Sequence, residues 1–127
     1  MNYIQTNPNP LENDTGDCVV RAICIAENRN WDDVYLDLMI EGFFKKRMIE
    51  DNRLWIPYLR KRGYRKYNIP DTCPDDCYLL SDFVRDHPQG RYIVGTGSHT
   101  IAVIDGIAHD TWNSLDKVVL FYFTKED

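Results

Sequence analysis

The sequence predicts an α+β domain in which N-terminal helices pack on a C-terminal antiparallel sheet of about four strands. Spacing typical of amphipathic helices fills the first half of the chain, and the alternation typical of strands begins at Arg91. Between two apolar runs stands Asp105-Gly106, the favoured turn of a two-residue β-hairpin. A chain of 127 residues is long enough for one hydrophobic core and too short for two, so we expect residues 1–127 to form a single domain.

The N-terminal half carries signals for three helices. Asp17, Asn30 and Asn52 each stand before an apolar stripe and are of the residue types that cap helix N-termini. Gly63 is placed to stop the third helix, and two prolines mark the segment that follows it as a loop. The predicted elements are an irregular arm over 1–13, helices over 18–28, 30–44 and 52–62, a loop over 66–77 and a short helix over 80–86.

The C-terminal half has the pattern of strands. The two-residue turn at Asp105-Gly106 pairs Ile104 with Ile107 and so fixes the register of the hairpin. The last predicted strand is an unbroken apolar run, which is typical of a buried strand. The four predicted strands lie over 91–96, 100–104, 107–112 and 118–123.

The composition is that of a soluble globular protein, with 43% hydrophobic and 28% charged residues. The first ten residues are polar with two prolines and do not resemble a signal peptide. The longest apolar run, Val118–Phe123, is far too short to cross a bilayer. In the absence of an export signal we expect the four cysteines to be free thiols in a reducing compartment. These features predict a cytoplasmic protein that acts without a membrane.

One segment of this acidic chain is strongly basic. The formal net charge is −5, yet nine of the fifteen Lys and Arg residues, and only two acids, lie between Lys45 and Lys66. Such a segment with tyrosines interleaved is able to bind nucleic acid. A charged, solvated helix face is the more common origin of this pattern. We therefore keep nucleic-acid binding by residues 45–66 as an alternative function and do not count nucleic acid among the expected partners.

Cys18 is the first residue of the first predicted helix. The unsatisfied N–H groups at a helix N-terminus carry partial positive charge, which favours a thiolate over a thiol. A histidine and a carboxylate follow far downstream, at His99 and Asp110. A lone cysteine early and a histidine and an acid late form the pattern of a nucleophile, a base and a group that orients the base.

The hairpin register selects His99 and Asp110 from their neighbours. Side chains alternate between the two faces of a sheet, so His99, Asp110 and Trp112 share one face while His109 and Asn113 point to the other. His99 and Asp110 become diagonal neighbours with backbones roughly 7 Å apart, which is within side-chain reach. A carboxylate there is able to hold one ring nitrogen of His99 while the other addresses a thiol.

Three segments together resemble the papain-like cysteine peptidase superfamily: Asn13–Ile23, Gly97–Gly106 and His109–Trp112. The resemblance is to compact bacterial and phage-encoded members and to the peptidase domains of bacteriocin-processing transporters. The order Cys, His, Asp along the chain and the helices-then-sheet layout agree with it. The resemblance covers the two ends of the chain, about half its length, and leaves residues 43–90 unmatched.

The resemblance implies a papain-like fold and a cysteine-dependent hydrolase that cleaves a peptide or a related amide bond. Cys18 would be the nucleophile, His99 the general base and acid, and Asp110 the orienting group. No metal and no organic cofactor would be needed, the substrate would be a peptide or protein, and we expect a monomer. Besides nucleic-acid binding, a second alternative is a catalytically inactive binding module of the same fold, such as a phage-encoded regulator of a host protein.

The oxyanion-binding residue departs from the family pattern. The family places a glutamine six residues before the nucleophile, and here that position is Glu12, which cannot donate a hydrogen bond when ionised. Asn13 is able to donate and is the expected substitute, together with the backbone N–H of the nucleophile, with Gln5 as a second candidate. Gly97 is expected to let the substrate backbone approach the site, and Trp112 to shield the histidine from water.

Overall fold

One mixed sheet forms the centre of the α+β fold in the computed structural model, which describes residues 2–125. Within that range the chain forms six strands and four helices. In chain order the elements are β1 (Tyr3–Gln5), α1 (Cys18–Glu27), α2 (Trp31–Lys45), α3 (Asn52–Lys61), β2 (Tyr64–Asn68), α4 (Leu80–Asp86), β3 (Arg91–Gly95), β4 (Thr100–Ile104), β5 (Ile107–Asp110) and β6 (Phe121–Lys125).

The sheet has the strand order β1-β5-β4-β3-β6-β2, with β1 parallel to β5 and every other pair antiparallel. The predicted antiparallel sheet of about four strands is therefore wrong in strand number and in one pairing. The two strands that were missed are the edges of the sheet, where residues 1–13 were expected to be irregular and residues from 66 to be loop. β1 has only three residues and β2 is mostly polar, so neither has the apolar alternation that marks a half-buried strand.

The hairpin of β4 and β5 has the predicted register. Ile104 pairs with Ile107, and the pairing continues two residues further along each strand. Asp105 and Gly106 have φ values of 49° and 75°, and a type I′ turn requires positive φ at both of its central residues. The turn therefore sets the alignment of the two strands that carry the histidine and the acid.

The first three helices begin where the sequence predicts, but the capping of α1 and of α3 differs from the prediction. Asn30 caps α2, and its side chain accepts a hydrogen bond from the Asp33 backbone N–H at 2.9 Å. The cap of α3 is Asp51 rather than Asn52, because the Asp51 carboxylate accepts from the Arg53 N–H at 2.9 Å. None of the helices in residues 2–125 has the length and apolarity that a membrane span requires.

Helices cover both faces of the sheet. Helices α1 to α3 pack on the face formed by Ile93, Ala102 and Phe123, and α4 packs on the face formed by Val94 and Ile101. Both sets of strand residues are fully buried, as the alternation along a strand requires. The prediction that N-terminal helices pack on the sheet is confirmed, and the last helix adds a layer on the opposite side.

Two of the four cysteines are not free thiols. Cys73 and Cys77 form a disulfide in the loop before α4, with 4.5 Å between their Cα atoms. The expectation of four free thiols is therefore wrong for this pair, because the turn brings the two backbones within the distance that a disulfide spans. Cys18 and Cys24 are free. Cys24 is buried in the core, where burial raises the pKa of its thiol to about 12.

Candidate active site

Cys18 is half-buried at the start of α1 and faces a cavity of about 270 Å³. The cavity lies between α1, the start of α3 and the loop that joins β3 to β4. His99 and Gly97 line it from that loop, and Asn52 and Trp55 line it from α3. The structure thus brings together three parts of the chain that are far apart in sequence.

His99 lies immediately before β4, and its ring contacts both of its predicted partners. Its Nε2 atom is 2.6 Å from Oδ2 of Asp110. The ring lines the same cavity as the Cys18 thiol, and the two groups interact electrostatically. Because Nε2 is engaged by the carboxylate, Nδ1 is the ring nitrogen left to address the sulfur. The structure therefore brings the three predicted catalytic residues together in one place.

Asp110 is held rigidly by groups other than the histidine. It is 2% exposed, and its Oδ2 accepts a hydrogen bond from the Ser114 hydroxyl at 2.7 Å. Its Oδ1 accepts from the Thr111 backbone N–H at 2.8 Å. Both carboxylate oxygens are thus engaged, so the side chain cannot rotate without breaking a bond in a buried place.

A buried arginine connects this carboxylate to the start of α1. Arg21 lies with its guanidinium 3.7 Å from Oδ1 of Asp110 and forms an ion pair and hydrogen bond with Asp17. Asp17 also accepts a hydrogen bond from the Trp31 indole at 3.0 Å. Asp17 stands at the N-cap position as predicted, but its side chain makes no capping hydrogen bond. Among the described residues no side chain caps the first N–H groups of α1. These groups are therefore able to stabilise a negative charge on the sulfur of Cys18.

The electrostatics favour a thiolate beside an imidazolium. Burial raises the pKa of Cys18, but hydrogen bonds from His99 and the Thr100 N–H, with the charges of His99 and Arg21, outweigh it and lower that pKa below its ordinary value. Burial lowers the pKa of His99, but its hydrogen bonds with Asp110 and Cys18 outweigh this effect and raise that pKa to about 9. Each shift stabilises the charged form of its group at neutral pH.

Trp112 covers one side of the histidine. The ring centroids of Trp112 and His99 are 4.9 Å apart with an angle of 32° between the planes. Lys117 places its ammonium 5.6 Å from the centroid of the same indole. The contact agrees with the predicted shielding role of Trp112, since the His99 side chain is mostly buried beneath it.

The alternative histidine and amide are engaged elsewhere, as the register predicts. The Nδ1 atom of His109 hydrogen bonds with the Thr6 hydroxyl at 3.2 Å. Asn113 accepts a hydrogen bond from the Leu115 N–H at 3.1 Å within its own turn. Neither side chain lines the cavity at Cys18, so both are outside the site.

The predicted oxyanion donors near the N-terminus are not part of the cavity wall. Asn13 and Glu12 are exposed, and the described contact of Asn13 is a hydrogen bond that its carbonyl accepts from the Asn7 side chain at 3.5 Å. Gln5 is exposed in the edge strand β1 and does not line the cavity either. The oxyanion role of Asn13 stays a prediction that none of these contacts supports.

Asn52 is a donor at the cavity that the sequence presented only as a helix cap. Its Oδ1 accepts a hydrogen bond from the Trp55 indole at 3.0 Å. An indole N–H can only donate, so this bond fixes which end of the amide is oxygen and leaves the NH₂ group for the cavity. The only sign of this role in the sequence is Trp55, three residues after Asn52. A tryptophan at that spacing is equally typical of ordinary core packing.

Five of the nine cations of the basic segment form ion pairs with acids. Its cations pair with Glu27, Glu41 and Asp51 at distances between 2.8 and 3.8 Å. Neutralised cations release fewer counterions from a nucleic-acid backbone, so this pairing does not favour the nucleic-acid alternative. The paired residues are Lys45, Arg47, Arg53, Lys61 and Arg62.

Cys18, with its lowered pKa, lies at one small cavity together with the Asn52 amide and with His99, whose pKa is raised and whose ring is held by a buried carboxylate. This set is sufficient for attack on a carbonyl group followed by proton transfer to the leaving group. No protein-family model, curated protein or solved structure matches this chain.

Proposed function

We propose that the protein is a papain-like thiol hydrolase that cleaves a peptide or a related amide bond. The observation that carries the proposal is the position of His99, which is 2.6 Å from the buried carboxylate of Asp110 and lines the same cavity as Cys18. The pKa of Cys18 is lowered and that of His99 is raised, as a nucleophile and a general acid require. A cluster that served packing alone would not need a histidine held between a thiol and a carboxylate.

The first half of the reaction forms an acyl-enzyme. The Cys18 thiolate adds to the carbonyl carbon, and the pair of electrons of the C=O bond moves to oxygen. We assign the Cys18 backbone N–H and the Asn52 amide as donors to that oxyanion. The intermediate collapses as the C–N bond breaks, and His99 Nδ1 gives its proton to the leaving amine, which leaves a thioester on Cys18.

The second half restores the enzyme. Neutral His99 takes a proton from water as the oxygen of that water adds to the thioester carbonyl. The tetrahedral intermediate then expels the Cys18 thiolate and releases a carboxylic acid. Asp110 keeps the imidazole in one orientation through both halves, and its negative charge stabilises the imidazolium whenever it forms.

Alkylation kinetics test the proposal directly. At pH 6 an ordinary thiol is almost entirely protonated, so an activated Cys18 is expected to react with iodoacetamide about ten-fold or more faster than glutathione does. The His99→Ala variant should lose this advantage, and His109→Ala should keep it because His109 lies outside the site. Mass spectrometry of the labelled peptide identifies the thiol that reacted.

Peptide cleavage completes the test. Incubation with a peptide library should release fragments, and the release should stop in the Cys18→Ser variant. A Cys18 that reacts no faster than glutathione would overturn the catalytic proposal and favour the inactive binding module instead. Activation of Cys18 without any cleavage would restrict the proposal to substrates other than simple peptides, such as a branched or crosslinked amide.

A further inference from the structure

A second, larger groove lies beside the cavity at Cys18. It has a volume of about 440 Å³ and runs between the start of α1, one side of α2 and the turn at residues 47–50. This size is within the range of small-molecule and side-chain sites in proteins. Its apolar walls are formed by Trp31, Tyr35, Met39, Phe43, Met48 and Ile49.

The walls of the groove are apolar and open to solvent. Met39 is 45% exposed, Phe43 66% and Met48 74%, although each is large and apolar. The rings of Trp31 and Tyr35 are stacked with centroids 4.6 Å apart, and they form a flat aromatic surface in the same groove. A contiguous apolar surface of this kind marks a binding site, whereas single exposed apolar residues do not.

Two charged groups that line the groove, Asp17 and Arg47, are already paired. Asp17 is bound by Arg21 and the Trp31 indole, and Arg47 pairs with Asp51 at 3.2 Å. A charged group that entered the groove would lose water without gaining a free partner from these residues. An apolar side chain gives up no hydrogen bonds to water when it enters the groove. The flexible methionine side chains of the walls are able to adapt to its shape.

The groove adjoins the candidate active site. Glu50 lines both the groove and the cavity at Cys18. Gly16 and Asp17 line the near end of the groove and directly precede Cys18 in the chain. An extended peptide advances about 3.3–3.6 Å per residue, so a substrate attacked at Cys18 reaches the adjoining groove within a few residues of the scissile bond.

From these observations we infer that the groove is a substrate subsite that takes a large apolar side chain, aromatic or long aliphatic, close to the bond that Cys18 attacks. The inference rests on the proposed function and specifies its substrate class. The groove occupant is the substrate rather than a second copy of the chain because the groove shares Glu50 with the cavity that contains the nucleophile.

Peptidyl chloromethyl ketones test this subsite with a single reaction. The thiolate displaces chloride and forms a thioether, so the rate of labelling reports how well the peptide binds next to Cys18. A set of tripeptide probes would carry phenylalanine, leucine, glycine or glutamate at each position in turn. At one position phenylalanine or leucine should label Cys18 about 10- to 100-fold faster than glycine, and glutamate should be slowest.

Variants of exposed residues locate the effect. Met39→Glu and Phe43→Glu should reduce the preference for the apolar probes to less than three-fold, with each rate divided by the iodoacetamide rate of the same variant. Leu36→Glu is the matched control, because Leu36 is 60% exposed on the same helix but does not line the groove. It should leave the preference unchanged, and equal melting temperatures would exclude a loss of folding.

The outcomes separate the subsite from the proposed function. If no position prefers an apolar side chain while iodoacetamide labelling still depends on His99, the subsite is overturned and the thiol hydrolase stands. If labelling does not depend on His99, the proposed function fails and the subsite fails with it. Concentration-dependent dimerisation that Phe43→Glu abolishes, without any probe preference, would assign the groove to a second copy and overturn the inference.

Discussion

The Nε2 atom of His99 lies 2.6 Å from Oδ2 of Asp110, and the carboxylate is buried at the end of β5. This distance is that of a charge-assisted hydrogen bond. Ser114 and Thr111 hold the same carboxylate from other directions. The histidine ring is therefore oriented by a group that cannot move, and its free nitrogen faces Cys18 before any substrate binds.

Removal of this carboxylate should lower both the pKa of His99 and the reactivity of Cys18. In the Asp110→Ala variant the carboxylate no longer opposes the effect of burial, so the pKa of His99 should fall below its value of about 9. The loss in turnover should be on the order of 100-fold or more. NMR titration of the ring protons measures the first effect and alkylation kinetics the second. Asp116→Ala, at an exposed carboxylate outside the site, should change neither, and a His99 pKa that stays near 9 would contradict the orienting role.

The reactivity of Cys18 and the rate of hydrolysis should depend on pH in opposite directions. Alkylation of Cys18 should rise with pH through its lowered pKa, and hydrolysis should fall above about pH 9 as His99 loses its proton. A raised pKa in the folded state means that the stabilisation from His99 is complete below its unfolded pKa of about 6.5 and is lost as pH rises through about 9. A single inflection at the pKa of a free thiol would rule out the ion pair.

The two asparagines can be separated by substitution. Asn52→Ala should lower the rate of the chemical step by about 100- to 1000-fold, which is the usual cost of losing one oxyanion donor. Asn13→Ala should have a much smaller effect, because Asn13 does not line the cavity. Single-turnover kinetics on a cleaved peptide measure the step itself. A large loss of rate in Asn13→Ala with little change in Asn52→Ala would instead identify Asn13 as the oxyanion donor.

The His99–Asp110 contact can be predicted from the sequence because the turn between the two strands is short. A two-residue Asp105-Gly106 turn admits one register, and that register makes the two residues diagonal neighbours. Local chemistry therefore determines a contact between residues eleven positions apart. The cap at Asn30 is equally local and was predicted for the same reason.

Other features depend on packing between distant segments. Strict alternation would place His99 and Asp110 on the face that α4 covers, whereas Cys18 belongs to α1 on the opposite face. His99 comes near Cys18 only because it lies at the end of the sheet, where strict alternation no longer applies. His99 precedes β4, and Asp110 is the last residue of β5. The position of Asn52 at the cavity depends likewise on how α3 packs, which no pattern near Asn52 encodes.

The buried arginine provides the last prediction, because it connects stability and reactivity in one side chain. Arg21→Met keeps much of the volume but leaves the carboxylates of Asp17 and Asp110 buried without their cation. Breaking such a pair typically costs about 3–5 kcal/mol of unfolding free energy. The pKa of Cys18 should also rise, since the charge of Arg21 is among the causes that lower it. Denaturant unfolding measures the first effect, and the pH dependence of alkylation measures the second.

Arg53→Met is the matched control, because its ion pair with Asp51 is exposed and should contribute almost nothing. Equal stability losses in the two variants would show that Arg21 does not hold the two carboxylates, and an unchanged Cys18 pKa would remove it from the electrostatics of the site.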